Sequence, residues 1–147
     1  MILYHGSNIQ NLKVLKSSYN TNKHIETNKH FIYLSPDKQF ASCFCVSWNN
    51  GTARQGYFDG VLYFAPKESV DLYAPASIYI VDVDENKLDF INNHMCIYKG
   101  NRLNIKDEIK YKTGMDALKE MNVNIISYDE YMDRLNKRMK KGRYFCI

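Results

Sequence analysis

The sequence lacks an apolar run near the roughly 20 residues that a membrane-spanning helix needs. It also lacks the basic start and apolar core of a secretory signal, because its first residues, MILYHGS, have the pattern of a strand. Cysteine is scarce, and the spacing of Cys43 and Cys45 does not match the pairs that bind zinc. We therefore expect a cytoplasmic protein with free thiols, no metal and no membrane contact.

Several motifs of known chemistry are absent as well. The chain has no Gly-x-Gly-x-x-Gly and no Walker-type Gly/Lys loop, which argues against a Rossmann or P-loop nucleotide site. It has no Gly-x-Ser-x-Gly, so its serines lack the setting of a hydrolase nucleophile. It also has no internal repeat and no low-complexity linker. A chain of 147 residues has the usual size of one domain, and we expect a single domain over 1–147.

Tyrosine and positive charge, by contrast, are abundant. The chain has 12 Tyr and 7 Phe, which suit both half-buried strands and flat planar ligands. The net charge is +4, and much of the excess lies near the C-terminus. Such a run attracts nucleic acid or an anionic cofactor, or it is the solvated end of a helix. Its members are Lys137, Arg138, Lys140, Lys141 and Arg143.

The residue patterns predict an α+β fold with interspersed strands and helices. Runs rich in β-branched and aromatic residues predict strands at 2–6, 31–35, 61–64, 78–83, 95–98, 108–113 and 123–128. Apolar residues at three- and four-residue steps predict helices at 36–48, at 114–121 and from Asp129 onward. We expect Ser35 to cap the first helix. The polar segment 8–30 predicts a turn or short helix followed by a mobile loop, and 49–60 predicts a loop.

The first candidate site residues are His5, Gly6 and Ser7, at the end of the first predicted strand. Because glycine has no Cβ, a ligand can approach the backbone at Gly6 closely. The N–H and C=O of Gly6 can then bind a planar carboxamide in a paired fashion. His5 supplies a ring donor for a ribose hydroxyl.

A second group of candidates lies at a predicted strand-to-helix junction, where Tyr33 and Ser35 precede a helix that carries Phe44. Together the two strands resemble the ADP-ribosyltransferase family. In that family a strand with His-Gly-Ser or His-Gly-Thr precedes a strand of the type Tyr-x-Ser/Thr, which leads into an Ala- and Phe-bearing helix. The spacing of 28 residues between His5 and Tyr33 is similar to that of small bacterial members of the rifampin-modifying type.

This resemblance implies a fold, a substrate and a reaction. The implied fold is a single domain of split mixed or antiparallel β-sheets with flanking helices. The implied reaction transfers ADP-ribose from NAD to a protein, nucleic acid or small-molecule acceptor and releases nicotinamide. His5 then binds the nicotinamide ribose, the Gly6 backbone binds the carboxamide, and Tyr33 stacks on the nicotinamide ring. The further pocket residues are Ser7, Ser35 and Phe44.

The reaction also needs a stabiliser of positive charge. Cleavage of NAD resembles glycoside hydrolysis, because the C–N bond breaks through an oxocarbenium-like transition state, and a carboxylate near that charge stabilises it. The family places Glu or Asp on or after its middle strands. No Glu stands just before Tyr98, and Asp89 falls near the Asp of the rifampin-modifying type. The alternative carboxylates are Asp84, Glu85, Asp107 and Glu108.

Two other functions stay open at this point. A binding module of the same fold, without the catalytic acid, would sense NAD or an ADP-ribosylated ligand. A nucleic-acid-binding protein would use the basic C-terminal helix, although the aromatic residues are not grouped with that basic run.

Overall fold

A computed structural model of the protein describes residues 1–17, 31–46 and 53–141. The strands among them are β1 (Ile2–Ser7), β2 (Val14–Lys16), β3 (Ile32–Leu34), β4 (Ala53–Phe58), β5 (Val61–Pro66), β6 (Ala76–Asp82), β7 (Leu88–Asn92), β8 (Met95–Tyr98), β9 (Arg102–Asn104), β10 (Asp107–Tyr111) and β11 (Asn124–Ile125). The helices are α1 (Lys38–Ser42), α2 (Gly114–Glu120) and α3 (Tyr128–Lys141), with a 3-10 turn at Glu85–Lys87. None of these described helices is long and apolar enough to cross a bilayer.

The described strands form several small sheets. Their orders are β1–β6–β10, β3–β8–β7 and β11–β5–β4, and β2 pairs with β9. The paired strands are antiparallel, except that β11 and β5 are parallel. Tyr4 of β1 and Ser35, just after β3, exchange backbone hydrogen bonds of 2.8 and 2.9 Å, which join the first two sheets at one point. The chain is therefore a small mixed α+β domain.

Side-chain alternation divides the core between the two faces of the β1–β6–β10 sheet. Leu3 and Tyr79 are fully buried on one face, together with residues of the β3–β8–β7 sheet. On the opposite face, Ile78 packs with Ala117 of α2, and Tyr4 packs against the same cluster. Helix α1 lies along β1 as well. The end of β1 is thus held between a helix on one face and a second sheet on the other.

Most of the predicted elements are confirmed, with shifted ends. The strands predicted at 2–6, 31–35, 61–64, 78–83, 95–98 and 108–113 correspond to β1, β3, β5, β6, β8 and β10. The helix predicted at 114–121 is α2, and the last helix begins at Tyr128. The strand predicted at 123–128 is much shorter, since β11 covers only Asn124–Ile125.

Three predictions on local structure were wrong. Segment 8–30 was expected to consist of a turn or short helix and a loop; the chain does turn after β1, but Val14–Lys16 is a strand paired with β9. Segment 49–60 was expected to be a loop, but Ala53–Phe58 is a strand paired with β5. Of the helix predicted over 36–48, the described part, residues 36–46, is an α-helix over Lys38–Ser42. Residues 18–30, the part of segment 8–30 in which the mobile loop was expected, lie outside the described residues, and so do residues 47–52.

The cap of α1 also differs from the prediction. Asp37 is the N-cap, because its Oδ1 accepts a hydrogen bond of 3.0 Å from the backbone N–H of Gln39. The Ser35 hydroxyl instead bonds to the N–H and C=O of Asp37, each at 3.0 Å. A carboxylate is thus placed one residue before the helix, where the helix dipole favours negative charge.

Candidate functional site

A slot opens where β1 and β3 separate after the Tyr4–Ser35 bridge. A continued antiparallel ladder would place Gly6 opposite Tyr33 and join them through their backbones. Instead, the Tyr33 carbonyl oxygen lies 2.8 Å from Nδ1 of His5, and no backbone hydrogen bond of the described residues joins Gly6 to Tyr33. The imidazole therefore takes the place of the Gly6 amide as the partner of that carbonyl.

The N–H and C=O of Gly6 point toward this slot. In an antiparallel sheet a residue directs both groups to the same neighbouring strand, and the direction alternates along the chain. Tyr4 directs both groups toward β3, at Ser35, so Gly6, two residues later, directs its groups to the same side. Strand β6 is consistent with this direction. Its residue Ile80 lies opposite Tyr4, but the Ile80 carbonyl points away from β1 and accepts from the backbone N–H of Lys106. Gly6 thus offers one donor and one acceptor to the slot.

His5 faces the slot in a defined protonation state. A carbonyl oxygen only accepts, so Nδ1 carries the proton and Nε2 of the neutral ring is an acceptor. Burial lowers the pKa of His5 from its ordinary value, and this effect outweighs the opposite effect of the hydrogen bond to Tyr33. The sequence predicted that a ring N–H of His5 would donate to a ribose hydroxyl. The Nδ1–H instead donates to the Tyr33 carbonyl, so a ligand hydroxyl would donate to Nε2.

The slot continues into a cavity of about 310 Å³, at the lower end of the volumes typical of small-molecule sites. Tyr33 is 39% exposed at its wall, and its ring meets the ring of Phe31 edge to face at 5.5 Å. Five predicted site residues are brought together here, namely His5, Gly6, Tyr33, Ser35 and Phe44. The remaining lining residues are Tyr4, Leu34, Phe40, Ala41 and Met95.

Two predicted site residues, Ser7 and Asp89, do not line the cavity. The Ser7 hydroxyl accepts from the backbone N–H of Ile9 at 3.0 Å and closes the turn after β1. Asp89 and Tyr33 share a sheet face, because both are opposite the same residue of β8. Two strand spacings, about 10 Å, separate them. The Asp89 side chain is 61% exposed and lies 2.9 Å from Nζ of Lys99.

The alternative carboxylates lie elsewhere. Asp84 caps the 3-10 turn that contains Glu85. Asp107 begins β10, the outer strand of the other sheet, and accepts from the backbone N–H of Glu108 at 2.8 Å. Glu108 itself accepts from the backbone N–H of Asn11 at 3.0 Å and so fixes the segment after β1. Within the described residues, no carboxylate lines the cavity.

Gly6 has a packing role that the sequence did not indicate. A Cβ at this position would collide with the carbonyl oxygen of Ala41 and lie 3.3 Å from Sγ of Cys45. Both residues belong to α1 and the turn after it. The missing side chain therefore makes room for the helix rather than for a ligand, which corrects the sequence-based reason for this glycine. The groups of Gly6 that face a ligand are its backbone N–H and C=O.

Sequence reasoning missed a polar cluster beside the cavity, formed by Asp37, Tyr57 and His94. The Tyr57 hydroxyl donates to Oδ2 of Asp37, and Nδ1 of His94 lies 3.3 Å from the same oxygen. Phe40, which lines the cavity, stacks with His94 at 5.9 Å between ring centroids. No local pattern marks His94, because it is a lone histidine in the polar turn between β7 and β8.

The basic C-terminal run lies on α3 as far as its side chains are described, which is to residue 140. The Arg138 guanidinium lies 4.5 Å from the centre of the Phe58 ring and donates to the Tyr57 carbonyl at 2.9 Å. Lys137 pairs with the carboxylate one turn before it, at 3.0 Å. These two cations are thus engaged in contacts of the domain itself.

The cysteines within the described part of the chain are buried free thiols, at positions 43, 45 and 96. Burial raises the pKa of Cys43 and Cys96, and it raises the pKa of Cys45 to about 12. Cys146 lies outside that part. Among the described side chains, no group of three or more His, Cys, Asp or Glu could hold a metal ion.

The stability of the fold is expected to fall as the pH drops from about 7.5 to about 5. The unfolded chain binds a proton at His5 near pH 6.5, whereas the pKa of the folded ring is lower. Protonation of His5 therefore favours the unfolded state. The contribution of the neutral His5 ring to stability is fully present above the pKa of the unfolded chain and is lost as the pH falls below it. Urea unfolding at both pH values should show a smaller decrease in His5→Gln than in the wild type. An equal decrease in both proteins would contradict the burial of this ring.

Comparison of the chain with protein-family models, curated proteins and solved structures found no match. The assignment of function therefore depends on the slot itself. Its defining features are the paired N–H and C=O of Gly6, the Nε2 acceptor of His5 and the ring of Tyr33.

Proposed function

We propose that the slot binds the nicotinamide end of NAD and that the protein transfers ADP-ribose from NAD to an acceptor, with release of nicotinamide. The observation that carries this proposal is the separation of β1 and β3, at which His5 and Tyr33 meet and the Gly6 backbone is directed into the gap. A primary carboxamide has one acceptor and one donor group on the same side. It therefore matches the N–H and C=O of a single extended residue.

Each remaining part of the slot has a counterpart in nicotinamide riboside. The Tyr33 ring stacks on the flat pyridinium, whose positive charge strengthens the contact. A ribose hydroxyl donates to Nε2 of His5. The apolar walls formed by Phe40, Phe44 and Met95 exclude water from the ring and strengthen these polar contacts.

In the proposed reaction the bond between the ribose C1′ and the pyridinium nitrogen breaks, and its electron pair stays on that nitrogen. Nicotinamide leaves as a neutral molecule, and positive charge develops on the ribose. Asp89, two strands away from Tyr33 on the same face of the sheet, is the acid that we propose for this role. Since it lies outside the lining of the cavity, we propose slow cleavage for the wild-type protein.

A second candidate function is a binding module for NAD or an ADP-ribosylated ligand. One observation favours it, namely that no carboxylate of the described residues lines the cavity. Its predictions differ from those of the enzyme in one respect. Both functions require NAD binding that depends on the slot, but only the enzyme releases nicotinamide.

Replacement of Tyr33 by alanine is expected to weaken NAD binding by about 5- to 150-fold, because stacking of one ring on an aromatic side chain contributes about 1–3 kcal/mol. Tyr33→Phe should bind like the wild type, since it keeps the ring. Tyr73→Ala serves as a matched control, because Tyr73 is 68% exposed and does not line the cavity. Calorimetry gives the affinity, and chromatography of the same samples gives nicotinamide release.

The outcomes separate the candidates. Binding that survives Tyr33→Ala at wild-type strength would contradict the slot assignment. Slot-dependent binding without nicotinamide release would support the binding module. Release that disappears in Tyr33→Ala but not in Tyr73→Ala would support the transferase.

The compartment that we propose is the cytoplasm. The thiols of Cys43, Cys45 and Cys96 are free and buried, which fits a reducing environment. NAD is therefore proposed as the partner molecule, and the acceptor is a protein, a nucleic acid or a small molecule.

A further inference from the structure

The cluster of Asp37, Tyr57 and His94 has no role in the NAD contacts proposed above. Both oxygens of the Asp37 carboxylate have partners. Oδ1 accepts from the backbone N–H of Gln39 at 3.0 Å, and Oδ2 faces both Tyr57 and His94. The carboxylate is therefore fixed in position by α1 and β4. A fixed carboxylate beside one nitrogen of an imidazole orients the ring and selects its tautomer.

The His94 ring does not line the cavity itself, but it lies directly against Phe40, which does. It is stacked on Tyr57 at 4.2 Å between ring centroids, and the Phe40 ring lies on it at 5.9 Å. Phe40 lines the cavity, and so does Met95, the residue directly after His94. The ring is thus one side chain away from the proposed position of nicotinamide riboside, at a point where its side chain is still 38% exposed.

The chemistry of the ring follows from its partners. Nδ1 of His94 lies 3.3 Å from Oδ2 of Asp37. A carboxylate at this position favours the tautomer with the proton on Nδ1, which leaves a lone pair on Nε2. Among the described residues, Nε2 has no hydrogen-bond partner. The other titratable groups around the ring are Tyr57 and, next to Asp37, Cys43. Burial raises the pKa of both, and the nearby carboxylate of Asp37 adds to the effect.

We propose that His94 is the general base that accepts the proton of a hydroxyl-bearing acceptor during ADP-ribose transfer, and that Asp37 is its positioning residue. This inference rests on the proposed function. As nicotinamide departs with the electron pair of the broken bond, an oxygen lone pair of the acceptor forms the new bond to C1′. The proton of that oxygen passes to Nε2 of His94, which later returns it to water. No further reactant is required.

The test compares two small nucleophiles that differ in their need for a base. Methanol must lose a proton when it attacks C1′, whereas the azide anion attacks without losing one. Protein and NAD are incubated with both at fixed concentrations, and methyl ADP-ribose and azido ADP-ribose are quantified. Nicotinamide release is recorded in the same samples and reports on the proposed function independently.

His94→Gln and His94→Phe are expected to lower the methanol-to-azide product ratio by about 100-fold, the usual contribution of a general base. The amount of azido ADP-ribose should change by less than about threefold, because azide loses no proton when it attacks C1′. His94→Phe keeps the ring between Tyr57 and Phe40, so it retains the stacking while it removes the nitrogen. Asp37→Asn keeps a good helix cap and is expected to lower the ratio by a smaller factor, of about 10.

Each outcome decides the question. A fall of the ratio in both His94 variants supports the base. An unchanged methanol-to-azide ratio in both variants, or a fall in His94→Gln but not in His94→Phe, overturns the role of His94 as base. If the wild type still releases nicotinamide, the proposed transferase function is unaffected by that result. An absence of nicotinamide release from the wild type overturns the proposed transferase and the role of His94 with it.

Discussion

Gly6→Ala is expected to lower the free energy of unfolding by about 3 kcal/mol, because it forces a methyl group into a fully occupied contact. The new Cβ would collide with the Ala41 carbonyl oxygen and lie 3.1 Å from its carbonyl carbon. These are backbone atoms, and the same oxygen accepts a hydrogen bond of 3.0 Å from the N–H of Phe44. The contact can be relieved only if α1 moves away from β1. Urea unfolding followed by circular dichroism measures the loss.

Gly60→Asn is the control for this variant. Gly60 has a φ of +80° in the turn between β4 and β5, and a Cβ there meets no atom within 4 Å. Asparagine tolerates this left-handed conformation better than most residues do. We expect a change below about 1 kcal/mol. If Gly6→Ala proved as stable as Gly60→Asn, α1 would not pack on β1 as described.

Gly6 has two separate properties that bear on function. Its missing Cβ allows α1 to lie against β1, which places Phe40 and Phe44 in the cavity wall. Its N–H and C=O face the slot because of strand alternation, and alanine would retain both groups. Reduced NAD binding by Gly6→Ala would therefore report on the helix position, and it is a weaker test of the carboxamide contact than Tyr33→Ala.

The sequence indicated the strands that are rich in β-branched residues and missed those that are not. The run Ile78–Val83 predicts a strand by composition alone, and β6 contains most of it. Strand β4, in contrast, contains Arg54, Gln55 and Gly56, which resemble a loop. These residues become a strand because β5 pairs with them along six positions. Pairing of distant segments, rather than local preference, determines such strands.

The candidate site likewise has one part that the local sequence predicts and one part that it does not. His5 and Tyr33 were expected to meet because each ends a predictable strand, and the hydrogen bond between Nδ1 and the carbonyl places them together. The polar cluster was not predictable, because Asp37, Tyr57 and His94 come from a helix cap, a strand interior and a turn. Only the pairing of β3 with β8 brings His94 toward α1. Nothing in the local sequence around it encodes that proximity.

Met95→Glu is expected to raise the rate of nicotinamide release by about 100-fold, since placement of one favourable charge at a developing ionic centre has an effect of this order. Met95 begins β8 and lines the cavity, which contains no carboxylate from the described residues. Alternation along β8 places it on the face that also carries Tyr33, since Tyr33 lies opposite Ile97. A carboxylate there would stabilise the positive charge that develops on the ribose. The initial rate of nicotinamide release at saturating NAD measures the effect.

Met95→Gln is the matched control, because it has nearly the same shape as the glutamate without its charge. Both variants place a polar group where Met95 packs against the core around Phe64 and Leu118, so both should lose a similar amount of stability. Only the glutamate should accelerate release. If Met95→Glu binds NAD normally but releases nicotinamide no faster than Met95→Gln, the ribose does not lie beside Met95. If the wild type binds NAD without cleaving it and Met95→Glu cleaves it, the natural protein is the binding module, and the cavity lacks only the acid.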